Sequence, residues 1–223
     1  MNRVQFPTVL PRERGGIGRG TRLKICWAIA RESSSLSVPI SITMQYNLFS
    51  IPFFTDEVDL ERIQIIDEEQ KPTFRSGLNT SLRCNRKISS DTIAYLSEII
   101  GKHIDTLGVE YGSARIEELW RNTYTKADFQ DPHIHPFSQW SFIIYETVDK
   151  SRTVFLNPYR MRVQTQMSMY DRYFGEDWVP ELKQGSIVIF PSFIEHYVLT
   201  GGEGSTIAGN VFLSPPLNTD APL

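Results

Sequence analysis

The sequence predicts a mainly β fold with flanking helices, a jelly roll or cupin-like barrel, and three observations carry that expectation. After Gly112 the chain falls into short runs of strand formers, WSFIIYE, RTVFLN, GSIVIFP, EHYVLT and STIAGNVF, separated by turn-rich pieces. Two of these runs, SFIIY and SIVIF, are continuously apolar rather than alternating, which requires cover on both faces of the sheet. One amphipathic helix precedes them and supplies an apolar stripe to pack outside the strands.

In chain order, residues 1–43 differ from everything after them. RERGGIGRGTR is rich in Gly and Arg and ESSSLSVP in Ser, and neither shows sustained periodicity. The segment holds seven Lys/Arg against two Asp/Glu, leaving residues 44–223 with a net charge of -8 in a chain of -3. GGIGRG has the glycines of a dinucleotide loop, but neither the preceding strand nor the following helix with its acidic partner. Residues 1–43 are expected to be a disordered or non-native extension, with 44–223 the folded domain. A basic arm for an acidic partner is the other reading.

From Met44, QYNLFSIPFF reads as a strand limited by Pro52, and TDEVDLERI as a short helix capped by Thr55. Residues 67–88 are polar and marked by turns. Ser89-Ser90-Asp91 then opens a helix in which Ile93, Leu96, Ile99, Ile100, Ile104 and Leu107 form one stripe and which Gly108 ends. His103 lies beside that stripe with no histidine three or four residues away, so it reads as a boundary residue rather than a ligand. RIEELWRNTYT alternates only roughly. Residues 158–180 are polar, aromatic and poorly periodic, the texture of a lid or binding loop. Trp140, Tyr159, Tyr170, Tyr173, Phe174 and Trp178 flank the candidate site in sequence, and those inside 158–180 are expected to touch substrate.

Composition narrows the function. With 223 residues, 40% of them hydrophobic, the chain is long enough for one sizeable core, and no run approaches the roughly 20 apolar residues of a membrane span. Cys26 and Cys84 form no disulfide framework, which predicts a cytoplasmic protein with reduced thiols. The acidic body repels phosphate backbones and argues against nucleic acid as a partner.

The stretch DPHIHPFSQWSFIIYE places His133 and His135 one residue apart just before an apolar run. On a strand, alternate side chains share a face, so the two imidazoles would project together while Ile134 turns away. Pro132 and Pro136 discourage helix at this entry. A third imidazole, His196, follows the buried strand of GSIVIFPSFIEH. Three such ligands on one face of an octahedron leave three positions open, the arrangement of non-haem iron sites.

The run ELWRNTYTKADFQDPHIHPFSQWSFIIYE, with FLNP, KQGSIVIFPSFIEHYV and IAGN after it, resembles the iron and 2-oxoglutarate-dependent oxygenases of the phage and marine-bacterial type, over residues 116–212. The resemblance implies a double-stranded β-helix, Fe(II) held by His133, His135 and His196, and hydroxylation coupled to decarboxylation of 2-oxoglutarate to succinate. The substrate itself is not readable; a small molecule or peptide is the expectation, and a homodimer stays open. Two departures stand out. Much of the superfamily carries a carboxylate where this chain has His135. The arginine expected before the closing I-x-x-N segment is replaced at Gly204 or Ser205, and nothing cationic lies between His196 and Asn210. Arg160 is the first candidate to anchor the cosubstrate, with Arg152 and Arg162 behind it. Tyr145, Asn157, Ser192 and Asn210 are the neutral candidates.

The alternative is a cupin, a metal-binding protein acting as a 2-oxoglutarate-independent dioxygenase, an isomerase or a small-molecule binder. Gly185, Pro191 and His196 follow cupin spacing, but Phe193 stands where a glycine belongs. HIH leads to Gln139 and Trp140 instead of a glutamate, and Glu146 lies too far along.

Overall fold

A computed structural model describes residues 50–73, 75–148, 151–166, 169 and 175–216. The extension 1–43, the start of the 45–54 strand, Cys26, Tyr170, Tyr173 and Phe174 lie outside the described residues. No described helix is long and apolar enough to cross a membrane.

The strands are β1 (Phe54–Glu57), β2 (Ile65–Ile66), β3 (Lys71–Pro72), β4 (Asn79–Thr80), β5 (Lys87–Ile88), β6 (Ser113–Tyr124), β7 (Gln130–His133) and β8 (Trp140–Tyr145). They continue as β9 (Thr153–Leu156), β10 (Asp177–Trp178), β11 (Ser186–Pro191), β12 (His196–Val198) and β13 (Gly204–Ser214). Two helices, α1 (Ser90–Asp105) and α2 (Arg160–Gln166), complete the set. Seven strands form an antiparallel sheet in the order β1-β11-β8-β13-β6-β4-β3, and four form a second in the order β10-β9-β12-β7. The result is the expected jelly roll, a double-stranded β-helix.

The continuous apolar runs are covered on both faces, as the sequence required. Every residue of β8 and β11 is buried. Phe142 and Ile144, with Ile187 and Ile189, join Leu96, Ile100 and Ile104 of α1 in one cluster. Ile143, Tyr145, Val188 and Phe190 turn the other way and pack with Phe155 of the second sheet. Each such side chain contributes about 1.5–3 kcal/mol by leaving water, so the two faces are comparable sources of stability. The stripe of α1 is as predicted, with Ser89 accepting the Asp91 N–H as N-cap, although Leu107 lies past the helix and is exposed. His103 is a boundary residue: its Nε2 lies 2.8 Å from Asp56 Oδ2 and its ring faces Phe54, tying α1 to β1.

Two expectations are corrected. Thr55 lies inside β1, and the short helix that follows is a single 3-10 turn, Leu60–Arg62, capped by Asp59, because β1 pairs with β11 and takes the preceding residues into the sheet. The irregular stretch 158–180 contains α2 and β10, with Val163 supplying its one buried helical anchor. Trp140, outside that stretch, is a packing residue, buried beside Phe54 in the cluster under α1.

Gly209 of β13 pairs with Phe142 of β8. A Cβ there would run into the Phe142 ring and come within 2.7 Å of Glu118 O. Gly209→Ala is therefore expected to cost about 1–3 kcal/mol by overpacking, read as a lower urea midpoint with an unchanged slope.

Candidate metal centre

β12 carries His196 at its first residue, directly across from His133 of β7 on one side and Phe155 of β9 on the other. Directly opposed residues on antiparallel strands have Cβ atoms about 4.5–5.5 Å apart, so this register alone brings two imidazoles together. Their ring centroids are 4.3 Å apart.

His135 arrives differently from the expectation. β7 ends at His133, and His135 belongs to the loop that follows, so simple strand alternation does not place it. The loop is fastened instead to the β11–β12 turn: His135 N–H donates to Ser192 O at 3.0 Å, and Ser192 N–H donates to Gln139 O at 3.0 Å. The Ser192 hydroxyl lies 2.9 Å from Ser138 Oγ and 2.8 Å from Ser141 Oγ, which fixes the same corner from inside. Phe137, two residues on, has φ 74 and is fully presented to solvent, the conformational cost of turning the chain so soon after His135.

The three candidate ligand atoms lie within 4.8 Å of one another. His133 Nδ1 is 2.8 Å from Asp131 O and His196 Nδ1 is 3.0 Å from Ile194 O. A carbonyl only accepts, so both Nδ1 atoms carry the proton and both Nε2 atoms present a lone pair. His135 Nε2 lies 3.4 Å from His196 Nε2, and the side chain of Asn210 beside the ring favours its protonated form. Asn210 is braced in turn by Ser141 at 3.0 Å and Glu118 at 3.1 Å. Trp120 stacks on His135, and Phe190 meets His196 edge-on.

Burial makes these rings neutral. Desolvation lowers the pKa of His133, pushes His135 down to about 4 and His196 down to about 3, with the neighbouring imidazoles adding repulsion for the latter two. Neutral imidazole is the form that binds a metal. The donor set thus fits a divalent ion of the borderline class, iron included.

Between the sheets the three rings open onto a narrow cavity of about 20 Å³, with space for about one water. Trp120, Ile143 and Ala208 form its apolar wall. Asn122, Tyr124, Gln130, Thr153 and Thr206 form its polar side, and among the described residues no Lys or Arg lines it. A far larger hollow of about 1080 Å³ lies at the opposite end of the strands beside Arg152 and Lys183, but it contains no histidine. Size alone would select the wrong end of the barrel.

The other predicted residues fall around this centre rather than into it. Tyr145 is buried between the sheets, its hydroxyl 3.0 Å from Thr153 Oγ1 and from Ser151 Oγ. Asn157 organises a turn, accepting from Tyr159 N–H and donating to Gly175 O. Arg160 pairs with Glu195 at 2.6 Å, Arg152 donates to Leu199 O at 2.6 Å, and Arg162 is exposed on α2. Asn210 and Ser192 hold His135 and its loop. Tyr159 is exposed, and Trp178 packs edge-on against Phe53.

The sequence reading missed Trp120, Asn122 and Tyr124, which face inward at every second position of β6. It also missed Gln130. Gln130 pairs with Val198 and His133 with His196, so three steps on β7 match two on β12. That bulge turns Gln130 and His133 to the same side, against simple alternation.

Residues 118–212 match a family model described as "Putative 2OG-Fe(II) oxygenase". No curated protein matches the chain. Among solved structures, an oxidoreductase of the 2OG-Fe(II) oxygenase family from Burkholderia pseudomallei aligns at 12% identity and TM-score 0.45, over 66% of this chain and 72% of that one. A Pseudomonas putida prolyl-4-hydroxylase aligns at 17% identity and TM-score 0.40, over 66% and 78%. HygX from Streptomyces hygroscopicus, solved with nickel, 2-oxoglutarate and hygromycin B bound, aligns at 11% and TM-score 0.41, over 75% and 84%. At these scores the structural likenesses carry no further argument.

Two outcomes are expected. Asn210→Ala should weaken metal retention by roughly 10–100-fold, measured by competition with a chelator, as loss of an outer partner of a ligating histidine does. In chelator-treated protein the thermal midpoint should fall as pH drops from about 6.5 toward 4. The folded pKa values lie below the unfolded one near 6.5, so across that window the unfolded chain binds more protons and acid favours it.

Proposed function

We propose, from the match of residues 118–212 to a 2OG-Fe(II) oxygenase family model, that His133, His135 and His196 hold Fe(II) and that the protein is a 2-oxoglutarate-dependent oxygenase hydroxylating a small molecule or peptide. The observation that carries this reading is the convergence of three neutral imidazoles whose free nitrogens lie within 4.8 Å of one another. Bound there, iron with oxygen and 2-oxoglutarate supplies the oxidation of a C–H bond, with the cosubstrate becoming succinate and carbon dioxide.

The protein's own residues supply the rest. Asp131 O, Ile194 O and Asn210 fix the ring orientations, and Phe155, Phe190 and Trp120 keep water from their flanks. Three neutral ligands leave the charge of a divalent ion uncompensated, which favours a dianionic acid as its further ligand. That charge stands in for the arginine missing from β13. The approach is bordered by apolar side chains, since Ile134 and Phe137 flank His135 and Phe193 precedes His196, all exposed. We therefore take the substrate to have an apolar portion. The acidic body disfavours a phosphate polymer.

The cupin reading differs in one measurable respect, indifference to 2-oxoglutarate. Oxygen uptake and succinate formation by the Fe(II)-loaded protein should both require 2-oxoglutarate, and metal-dependent turnover without it would select the cupin. His133→Ala and His196→Ala should each lose iron by more than the ~10–100-fold of an outer-partner variant while keeping the β-rich circular dichroism spectrum. Retained iron in both would remove the ligand assignment.

A further inference from the structure

We infer that Gln130 orients the acid at the metal, its carboxamide N–H donating to an oxygen that the acid presents to the ion, with Tyr124 fixing the carboxamide for that task. The inference rests on the proposed Fe(II) and 2-oxoglutarate reading and adds to it the donor that reads the acid.

The geometry fixes which end of the amide points where. His133 Nδ1 donates to Asp131 O, so His133 Nε2 is a lone pair. Gln130 Nε2 lies 3.4 Å from His133 Nε2, and the N–H is the end of the carboxamide able to donate to that lone pair. The other end, Gln130 Oε1, lies 3.2 Å from the Tyr124 hydroxyl, which donates to it. The assignment of oxygen and nitrogen therefore follows from the histidine, and the tyrosine hydroxyl, able to donate or accept, is compatible with it. Tyr124 is fully buried, and desolvation raises its pKa to about 12, so it stays a neutral donor. An amide N–H does not ligate a cation. Placed within hydrogen-bond range of a metal-binding nitrogen, it serves an anionic oxygen bound beside that nitrogen.

Two further observations point to the same residue. No Lys or Arg lines the cavity among the described residues, so a carboxylate must be read by neutral donors. The β7 bulge that turns Gln130 inward is what makes the contact available.

Calorimetric titration of full-length protein, first with Fe(II) under anaerobic conditions and then with 2-oxoglutarate, separates metal binding from acid binding without turnover. Gln130→Leu is expected to bind Fe(II) within about threefold of wild type and 2-oxoglutarate about 10–100-fold more weakly, the loss of a hydrogen bond to a charged group. Tyr124→Phe should weaken the acid less, and in the same direction. Gln130→Glu should move the two affinities oppositely, with Fe(II) held at least as well and 2-oxoglutarate lost further. Gln130→Asn keeps the amide and shortens its reach, and should also lose acid affinity should leucine disturb the strand. Unchanged 2-oxoglutarate affinity in Gln130→Leu, or equal losses for metal and acid, would overturn the inference and leave the oxygenase reading standing. Wild-type protein that binds Fe(II) but no 2-oxoglutarate would remove both.

Discussion

The centre depends on holding three imidazoles neutral and aimed at one point while they are shut between two sheets. An imidazole has two nitrogens, and only one of them is useful to a metal. The fold resolves the choice by giving His133 and His196 backbone carbonyls within two residues of each, Asp131 O and Ile194 O, as proton acceptors. Beside His135 stands Asn210, a side chain from the far strand β13. Desolvation then keeps all three uncharged. Strand register contributes the positions, hydrogen bonds contribute the tautomers, and aromatic neighbours contribute rigidity.

Seen this way, the continuous apolar strands have a mechanical purpose. β8 and β11 send alternate side chains to α1 and to the second sheet, so the main sheet is clamped from both faces. The His135 loop is then fastened to the end of that clamped sheet through Ser192, which serves both neighbouring backbone and neighbouring hydroxyls. The loop that carries His135 is thereby tied to the sheet. Electrostatically the site is spare: neutral ligands, a neutral cavity, and the nearby Arg160 already paired with Glu195. In the proposed reaction the ion itself supplies the positive charge that attracts an acid, and amide and hydroxyl groups are left to orient it.

Much of this was legible in the sequence. The stripe of α1 reads directly from apolar spacing, and the two-faced burial of SFIIY and SIVIF reads from their unbroken apolarity. The three histidines could be grouped because HxH and a later strand-opening His196 have few other readings. What escaped was set by register rather than composition. Gln130 was hidden by the β7 bulge, since alternation puts it on the wrong face. Asn210 was read as a cosubstrate candidate, and the sheet order, which sets β13 beside β8, brings it to Ser141. Trp140 follows the histidine pair closely in sequence, and it packs on the helix side with Phe54. Thr55 had the chemistry of a cap, but pairing with β11 outweighed that local preference.

Anomalous scattering from a crystal of the Fe(II)-loaded protein, collected on either side of the iron edge, tests the central claim most directly. A single peak about 2.0–2.2 Å from the Nε2 atoms of His133, His135 and His196 is the predicted result. An iron peak elsewhere, or one that touches fewer than three of these rings, would contradict it.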